Sequence, residues 1–400
     1  MVIASKLNRL SPRILYVSER WTHGAQVRCL NVLRALQQVG IVEVVILDYA
    51  SNNAGGISEA ISGIQAAYYL AKEMRPNTGL IEKLRFTVDP KTHYPYGWAV
   101  PEEGVRRITR SLNEFDAIWF FKLRSADMFP NLAWQRSVVD IDDVQSTYER
   151  AALGNGSPLE RFRTLRNLYI WRRRERMLGQ RFSVLAVCSE EDKTYLRSIG
   201  VGARIHVIPN GFEEPFREPA RSPVIPPRLG FIGGFDHLPN RDGISWFVKS
   251  CWPQIKREVP QARLRLVGRD SDRFPDVSGL DVDRLGWVEN PSDEIKTWIA
   301  MIVPIRLGAG TRVKIAHAFS QKCPIVSTSL GALGYGVVDR REMYLADSAE
   351  AFGRACINVI CAPGEAERMA QRAWFQFLEK WTWHAIRPRV WAAVEDCLSS

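Results

Sequence analysis

The chain has 400 residues, 46% of them apolar, and a formal net charge of +10. That length supports two or three domains with substantial cores, and the longest apolar run, residues 298–305, falls far short of the roughly 20 residues a membrane-spanning helix needs. The charge favours anionic partners, whether nucleotide diphosphates, acidic lipid or nucleic acid; no nucleic-acid-binding motif accompanies it, so nucleic acid is not an expected partner.

The start, residues 1–12, has Lys6 and Arg9 but no apolar segment before a small-residue cleavage site, which makes the cytoplasm the expected compartment. In chain order, residues 13–18 form a short buried-strand pattern, and a polar loop with Thr22, His23 and Gly24 follows. Residues 27–39 space their apolar side chains as a helix, and 42–47 is the next strand. Strand, loop, helix, strand opens a parallel α/β sheet. Strand patterns recur at 117–121, 137–141, 184–188 and 205–208, giving one open sheet covered on both faces. Residues 155–181 differ in composition: eight arginines against two glutamates, with Leu159, Phe162, Leu165, Leu168 and Tyr169 interleaved. This reads as a basic amphipathic helix, facing either water or an anionic membrane surface.

From 215 to 227 five prolines and little apolar periodicity mark an inter-domain linker. The alternation then restarts, with strands at 229–234, 263–268 and 301–305 and helices at 243–259 and from Ser292. Two Rossmann-like halves predict a cleft between the carboxyl ends of two sheets, where ligands of such α/β folds bind. The segment 371–400 is helical, holds Trp374, Trp381, Trp383 and Trp391, and is expected to pack back on the first domain. The expected division is thus 1–214, a linker 215–227, 228–370 and a C-terminal helix 371–400.

The stretch 307–328 carries the most chemistry. Gly308 and Gly310 let the backbone approach a ligand, and Thr311, Arg312 and Lys314 open a helix whose unpaired amides and dipole attract phosphate. The bland alternative is a solvated helix start. Gly233 and Gly234 end the first strand of the second half ahead of Asp236 and allow close approach to a diphosphate, or only a tight turn; neither half carries G-x-G-x-x-G. Asn210 lies in an Asn-Gly turn closing the last strand of the first half. Asp142 and Asp143, at the end of strand 137–141, are candidates for contacting an acceptor hydroxyl or acting as a base. His23 and His317 are the histidines in cleft-facing contexts. Seven scattered cysteines read as reduced structural thiols, no cluster has metal-binding spacing, and no Ser/His/Asp or Cys/His nucleophile pattern appears.

Together these motifs resemble the retaining glycosyltransferases of the GT-B fold, in particular the large family four that builds polysaccharides, glycolipids and glycoconjugates in bacteria. The carrying residues are 187–193 and 207–211 in the first half, and 231–240 with Trp246 and Phe247, 264–268, 285–288, 303–314 and 324–332 in the second. Residues 139–146 are similar to the exopolysaccharide-assembly branch. The resemblance implies a nucleoside diphosphate sugar donor held mainly by the second domain. Its diphosphate would lie at Gly308, Ala309, Gly310 and Thr311 with Arg312 and Lys314, its base near Val288, with further donor contacts at Gly233, Gly234, Asp236, Asn210 and His317. A glycan or lipid-linked acceptor would lie against Trp21, Thr22, His23 and Gly24, with Asp142 and Asp143 counted beside Arg312 and Lys314 as catalytic. The resemblance also implies no metal or other cofactor, same-face attack in which the leaving phosphate takes the acceptor proton, and a peripheral position on the inner face of the cell membrane through 155–181.

Two departures stand out. Many members carry a Glu, seven residues, Glu pattern, and here Ala309 and His317 occupy its two ends. The common Gly-Arg-Leu phosphate motif is replaced by Gly233-Gly-Phe. A catalytically silent subunit of the same fold that binds a partner or glycan is therefore an alternative, and a nucleotide-sugar epimerase is a third.

Overall fold

The computed structural model describes residues 11–19, 26–48, 66–74, 79–89, 98–130, 133–153, 157–275, 281–308 and 310–399. The chain divides into two units, Met1–Ile208 with Arg387–Ser400, and Pro209–Ile386.

The first unit runs β1 (Arg13–Glu19), α1 (Gln26–Gln37), β2 (Ile41–Asp48), β3 (Ala66–Ala71), β4 (Glu73–Met74), α2 (Leu80–Val88), β5 (Trp98–Ala99), α3 (Glu102–Ser111), β6 (Ala117–Phe121), α4 (Leu123–Asp127), β7 (Trp134–Ile141), α5 (Gln145–Ala152), α6 (Pro158–Arg176), α7 (Leu178–Arg181), β8 (Phe182–Val187), α8 (Glu190–Ser198) and β9 (Arg204–Val207). Seven strands form one parallel sheet in the order β3-β2-β1-β6-β7-β8-β9, while β4 and β5 pair separately and antiparallel. Apolar side chains fill both faces, as parallel strands covered by helices require; all of β6 is buried. A fully buried charged pair lies within this core. Arg28 on α1 donates Nε and Nη2 to Asp140 on β7, at 3.1 and 2.7 Å, and Nη1 to the Ile208 carbonyl at 2.8 Å. The pair ties α1 to β7 and to the residue after β9.

The second unit runs β10 (Arg228–Ile232), α9 (Leu238–Trp246), a π-helical turn (Phe247–Cys251), α10 (Trp252–Glu258), β11 (Arg263–Val267), β12 (Val282–Gly286), α11 (Pro291–Thr297), β13 (Ala300–Val303), α12 (Val313–Ser320), β14 (Ile325–Ser327), β15 (Tyr344–Leu345), α13 (Ala349–Cys361), α14 (Pro363–Lys380) and the first turn of α15 (Trp383–Leu398), whose remainder from Arg387 belongs to the first unit. Its parallel sheet has the order β12-β11-β10-β13-β14-β15. The helix expected at 243–259 begins earlier, at Leu238, because Pro239 sits in the first turn where its missing N–H costs nothing.

Two boundaries differ from the sequence expectation. The proline-rich stretch is fastened to the second unit: the Ser222 and Val224 amides donate to the Lys296 and Thr297 carbonyls at 3.0 and 3.1 Å, and Arg221 Nη1 donates to the Lys322 carbonyl at 2.9 Å. The units divide before it, at Ile208. Residues 371–386 stay in the second unit because Trp374, Phe377 and Trp381 are buried in its core, so only Arg387–Ser400 joins the first, where Trp391 Nε1 donates to the Ala35 carbonyl at 2.9 Å. In α6, started by a capping box between Ser157 and Glu160, the buried residues are Leu168, Ile170, Arg174 and Glu175. Leu159, Phe162, Leu165 and Tyr169 face outward.

Candidate active site

In an open parallel sheet, ligands bind beyond the strands' carboxyl ends where the strand order reverses. In the second unit that point lies between β10 and β13. β10 leads into Gly233 and Gly234. β13 leads to α12 through Gly308 and Gly310, whose φ values of 104° and 73° suit glycine. No side chain caps α12, leaving the orphan amides of a helix start.

Four groups converge there. Lys314, on the first turn of α12, places Nζ 3.0 Å from Asn240 Oδ1 and 3.8 Å from the centroid of the Phe231 ring. Asn240, on α9, is held by donating Nδ2 to the Gly234 carbonyl at 2.7 Å. Burial drives the Lys314 pKa well below the ordinary lysine value, the Arg312 charge adds in the same direction, and no carboxylate among the described residues opposes them. Thr311 is buried, and its Oγ1 has no hydrogen-bond partner among the described residues. Arg312 Nη1 donates to the Gly310 carbonyl at 2.9 Å, and its own carbonyl accepts the Tyr335 hydroxyl at 2.9 Å. Gly233 makes the approach possible, since a Cβ there would stand 2.8 Å from Asn240 Nδ2 and 3.0 Å from Lys314 Nζ. The His237 pKa is lowered by burial and then by the Arg312 and Lys314 charges, so it too borders the cluster. Two cations, an unsatisfied hydroxyl and helix-start amides converging on one point make an anion receptor.

The remaining sequence candidates separate. Asp236 turns to Arg269, with Oδ2 3.3 Å from Nη1 in an exposed pair. Val288 follows β12 and packs partly buried against the core. His317, one turn along α12, is buried, stacks on Phe212 at 4.2 Å and 16°, and has Nε2 2.9 Å from Ser292 Oγ. Burial takes its pKa down to about 4, which makes it a neutral imidazole. Asn210 is buried at the beginning of the second unit. Ala309 lies outside the described residues, as do Trp21, Thr22, His23 and Gly24.

In the first unit the strand order reverses between β1 and β6. Of the three carboxylates at the end of β7, Asp140 is wholly buried on Arg28. Asp142 pairs with Lys122 at 3.1 Å, and Asp143 is exposed. Asp142 and Asp143 line a cavity of about 500 Å³ together with Trp98, Lys122, Trp171 and Glu175. Glu175 is buried on α6 and accepts from the Ser146 amide at 2.9 Å and from the Ser146 hydroxyl. Burial pushes its pKa up to about 7 against those hydrogen bonds.

Residues 226–361 match the family model described as glycosyl transferases group 1. An uncharacterised 44.6 kDa protein of the cps region of Klebsiella pneumoniae is 25% identical over 138 residues, which is 32% of this chain and 36% of that protein. The chain thus spans about a third of the length of this curated relative. Among solved structures, sucrose-phosphate synthase from Thermosynechococcus elongatus aligns with a TM-score of 0.64 at 15% identity, over 95% of this chain and 98% of that one. HepE of Anabaena in complex with UDP and glucose aligns at 0.63 and 14%, over 96% and 99%. The chain has the GT-B fold, built of two Rossmann-like units.

Within the matched stretch, motif reading passed over Phe231 and Asn240 as site residues. Asn240 had a weak signal, a polar side chain on the first turn after a glycine pair; Phe231 looks like ordinary strand core. Trp171 and Glu175 lie one turn apart on α6, but Trp98 and Lys122 come from separate segments of the first unit, so no spacing along the chain joins the four.

Proposed function

We propose that the protein transfers a glycosyl group from a nucleoside diphosphate sugar to a hydroxyl of a glycan or lipid-linked acceptor in bacterial polysaccharide or glycoconjugate assembly, retaining the anomeric configuration and using no divalent metal. Lys314 carries this reading: its amine is buried beside Arg312 and the unsatisfied Thr311 hydroxyl, and no carboxylate among the described residues stabilises its charged form. An unpaired buried charge costs several kcal/mol, and a diphosphate supplies the missing counter-charge. The same groups then offset the charge that grows on the leaving diphosphate, a task a divalent cation otherwise performs. The match to glycosyl transferases group 1, the cps-region relative and the UDP complex of HepE support the reading.

The cavity of the first unit suits a sugar acceptor, with Asp142 and Asp143 to accept hydroxyl hydrogen bonds and Trp98 and Trp171 to pack against C–H faces. In transfer with retention, the acceptor oxygen bonds to the anomeric carbon on the face the diphosphate leaves. The carbon–phosphate-oxygen bond breaks, and the hydroxyl proton passes to a leaving phosphate oxygen. Asp142 and Asp143 orient that hydroxyl.

Calorimetry with a panel of nucleoside diphosphate sugars tests this. The protein should bind one and hydrolyse it slowly, and Arg312→Ala with Lys314→Ala should weaken binding. A protein that binds no nucleoside diphosphate would instead be the silent subunit, which the buried, neutral His317 favours.

A further inference from the structure

We infer that Glu175 is a positioning residue for the acceptor: through Ser146 it fixes the start of α5, and with it the turn that presents Asp142 and Asp143 to the cavity of the first unit. The inference rests on the reading of that cavity as the acceptor site. Glu175 stands on α6, 29 positions along the chain from Ser146, and accepts from the Ser146 amide at 2.9 Å and from the Ser146 hydroxyl. Ser146 Oγ lies in turn 2.8 Å from the Tyr195 hydroxyl on α8. Three helices from separate segments thus meet at one buried serine.

The sequence explains why the cap comes from so far away. The first amides of a helix have no partner within it, and a Ser, Thr, Asp or Asn at the preceding position ordinarily supplies one. α5 has Val144 there, with no side-chain hydrogen bond. Val144 is buried and lines the cavity together with Ile141 and Leu178. A polar residue at 144 would close the helix locally but put a polar group into that wall. The capping acceptor arrives on α6 instead, where a carboxyl group also suits the positive end of the α5 dipole. The position is costly, since burial pushes the Glu175 carboxyl up to about 7 against the two hydrogen bonds from Ser146.

The turn is held from its other side as well. Asp142 pairs with Lys122 at 3.1 Å and accepts from the Cys188 thiol at 3.5 Å, contacts that come from just beyond β6 and β8. Those contacts fix the Asp142 side chain, and Glu175 fixes the backbone that leads away from it. Held at both ends, the two aspartates keep one direction toward a sugar hydroxyl, which saves the entropy of orienting it. The network survives a change of protonation. An ionised Glu175 accepts from Ser146 Oγ, which accepts from the Tyr195 hydroxyl. A protonated Glu175 donates to Ser146 Oγ, whose hydrogen turns to Tyr195, while the other carboxyl oxygen keeps the Ser146 amide. Arg172 on α6 and Asp192 on α8 are charged neighbours, the first lowering the Glu175 pKa and the second raising it. Glutamine reproduces the protonated arrangement, its Nε2 donating and its Oε1 accepting.

Amide hydrogen exchange and acceptor kinetics on the intact protein test this. In Glu175→Leu the amides of residues 143–147 should exchange about tenfold faster, the loss of one good hydrogen bond, while Glu175→Gln should keep wild-type protection. With the donor that calorimetry selects and a panel of octyl glycosides as acceptors, Glu175→Leu should lower kcat/KM for the acceptor about tenfold and leave donor affinity and donor hydrolysis unchanged. Glu175→Gln should restore transfer. If Glu175→Leu does not fold, Ser146→Ala cuts the hydroxyl link alone and should give a smaller change of the same kind. Unchanged exchange, a fall of hydrolysis and transfer together, or no rescue by glutamine would each overturn the proposal. A wild type that binds its donor but glycosylates no member of the panel would remove the acceptor reading, and the proposal with it.

Discussion

Lys314 Nζ lies 3.0 Å from Asn240 Oδ1, so the cation that defines the candidate donor site rests on a neutral amide instead of a carboxylate. The arrangement sacrifices stability for affinity. Lys314→Met should raise the melting temperature of the ligand-free protein, by removing a buried charge of similar volume. It should weaken binding of a nucleoside diphosphate by about 1.5–3 kcal/mol, the worth of a charge-assisted bond. Thermal melts and calorimetry on the same variant read both, and a drop in both would make Lys314 a structural residue.

Gly233→Ala probes the other side of the site. Its backbone is not in the left-handed region, so the substitution adds no strain of that kind. The new Cβ meets Asn240 and Lys314. Nucleotide affinity should fall roughly tenfold, the loss of one good hydrogen bond, with little change in stability. Equal affinity would mean Asn240 and Lys314 tolerate the methyl group by moving apart.

His317 predicts acid sensitivity. Its folded pKa is about 4 against 6.5 for a free imidazole, so between those values the unfolded chain binds the extra proton. Stability from this group is complete above about 6.5 and is lost as pH falls toward 4, by up to about 3 kcal/mol. Denaturant titrations across that window should show the decline in wild type and its loss in His317→Gln.

Glu175 predicts the opposite slope over a similar range. Its folded pKa is about 7 against 4.5 unfolded, so here the native state holds the proton and stability falls as pH rises from 4.5 to 7, by up to about 3 kcal/mol. Glu175→Gln should flatten this part of the profile. Because His317 and Glu175 lie in different units, unfolding followed by a probe in each unit separates the two trends.

Neighbouring aspartates should part company. Asp140→Asn leaves the buried Arg28 guanidinium without its charge partner and should cost about 3–5 kcal/mol of stability. Asp142→Asn, in a partly exposed pair with Lys122, should cost about 1 kcal/mol or less yet slow transfer to the acceptor. Chemical denaturation and a product assay distinguish them.

The sequence by itself determined the repeated strand and helix pattern and the phosphate-type helix start, because both arise from contiguous residues: buried parallel strands need apolar runs, and a helix start needs glycines and cations within one turn. It also separated residues 155–181 by composition. Tertiary structure decided what depends on distant chain segments meeting. Lys314 and Asn240 are 74 positions apart, and only packing shows that the ammonium has a neutral neighbour. His317 reads like a ligand in sequence and is held inward by Phe212 and Ser292, from two other segments. The interleaved apolar residues of 155–181 read as one side of a basic amphipathic helix, but a helix period fixes only that residues share a side. Which side meets the core is set by what lies beside the helix, and here that neighbour leaves the stripe outward.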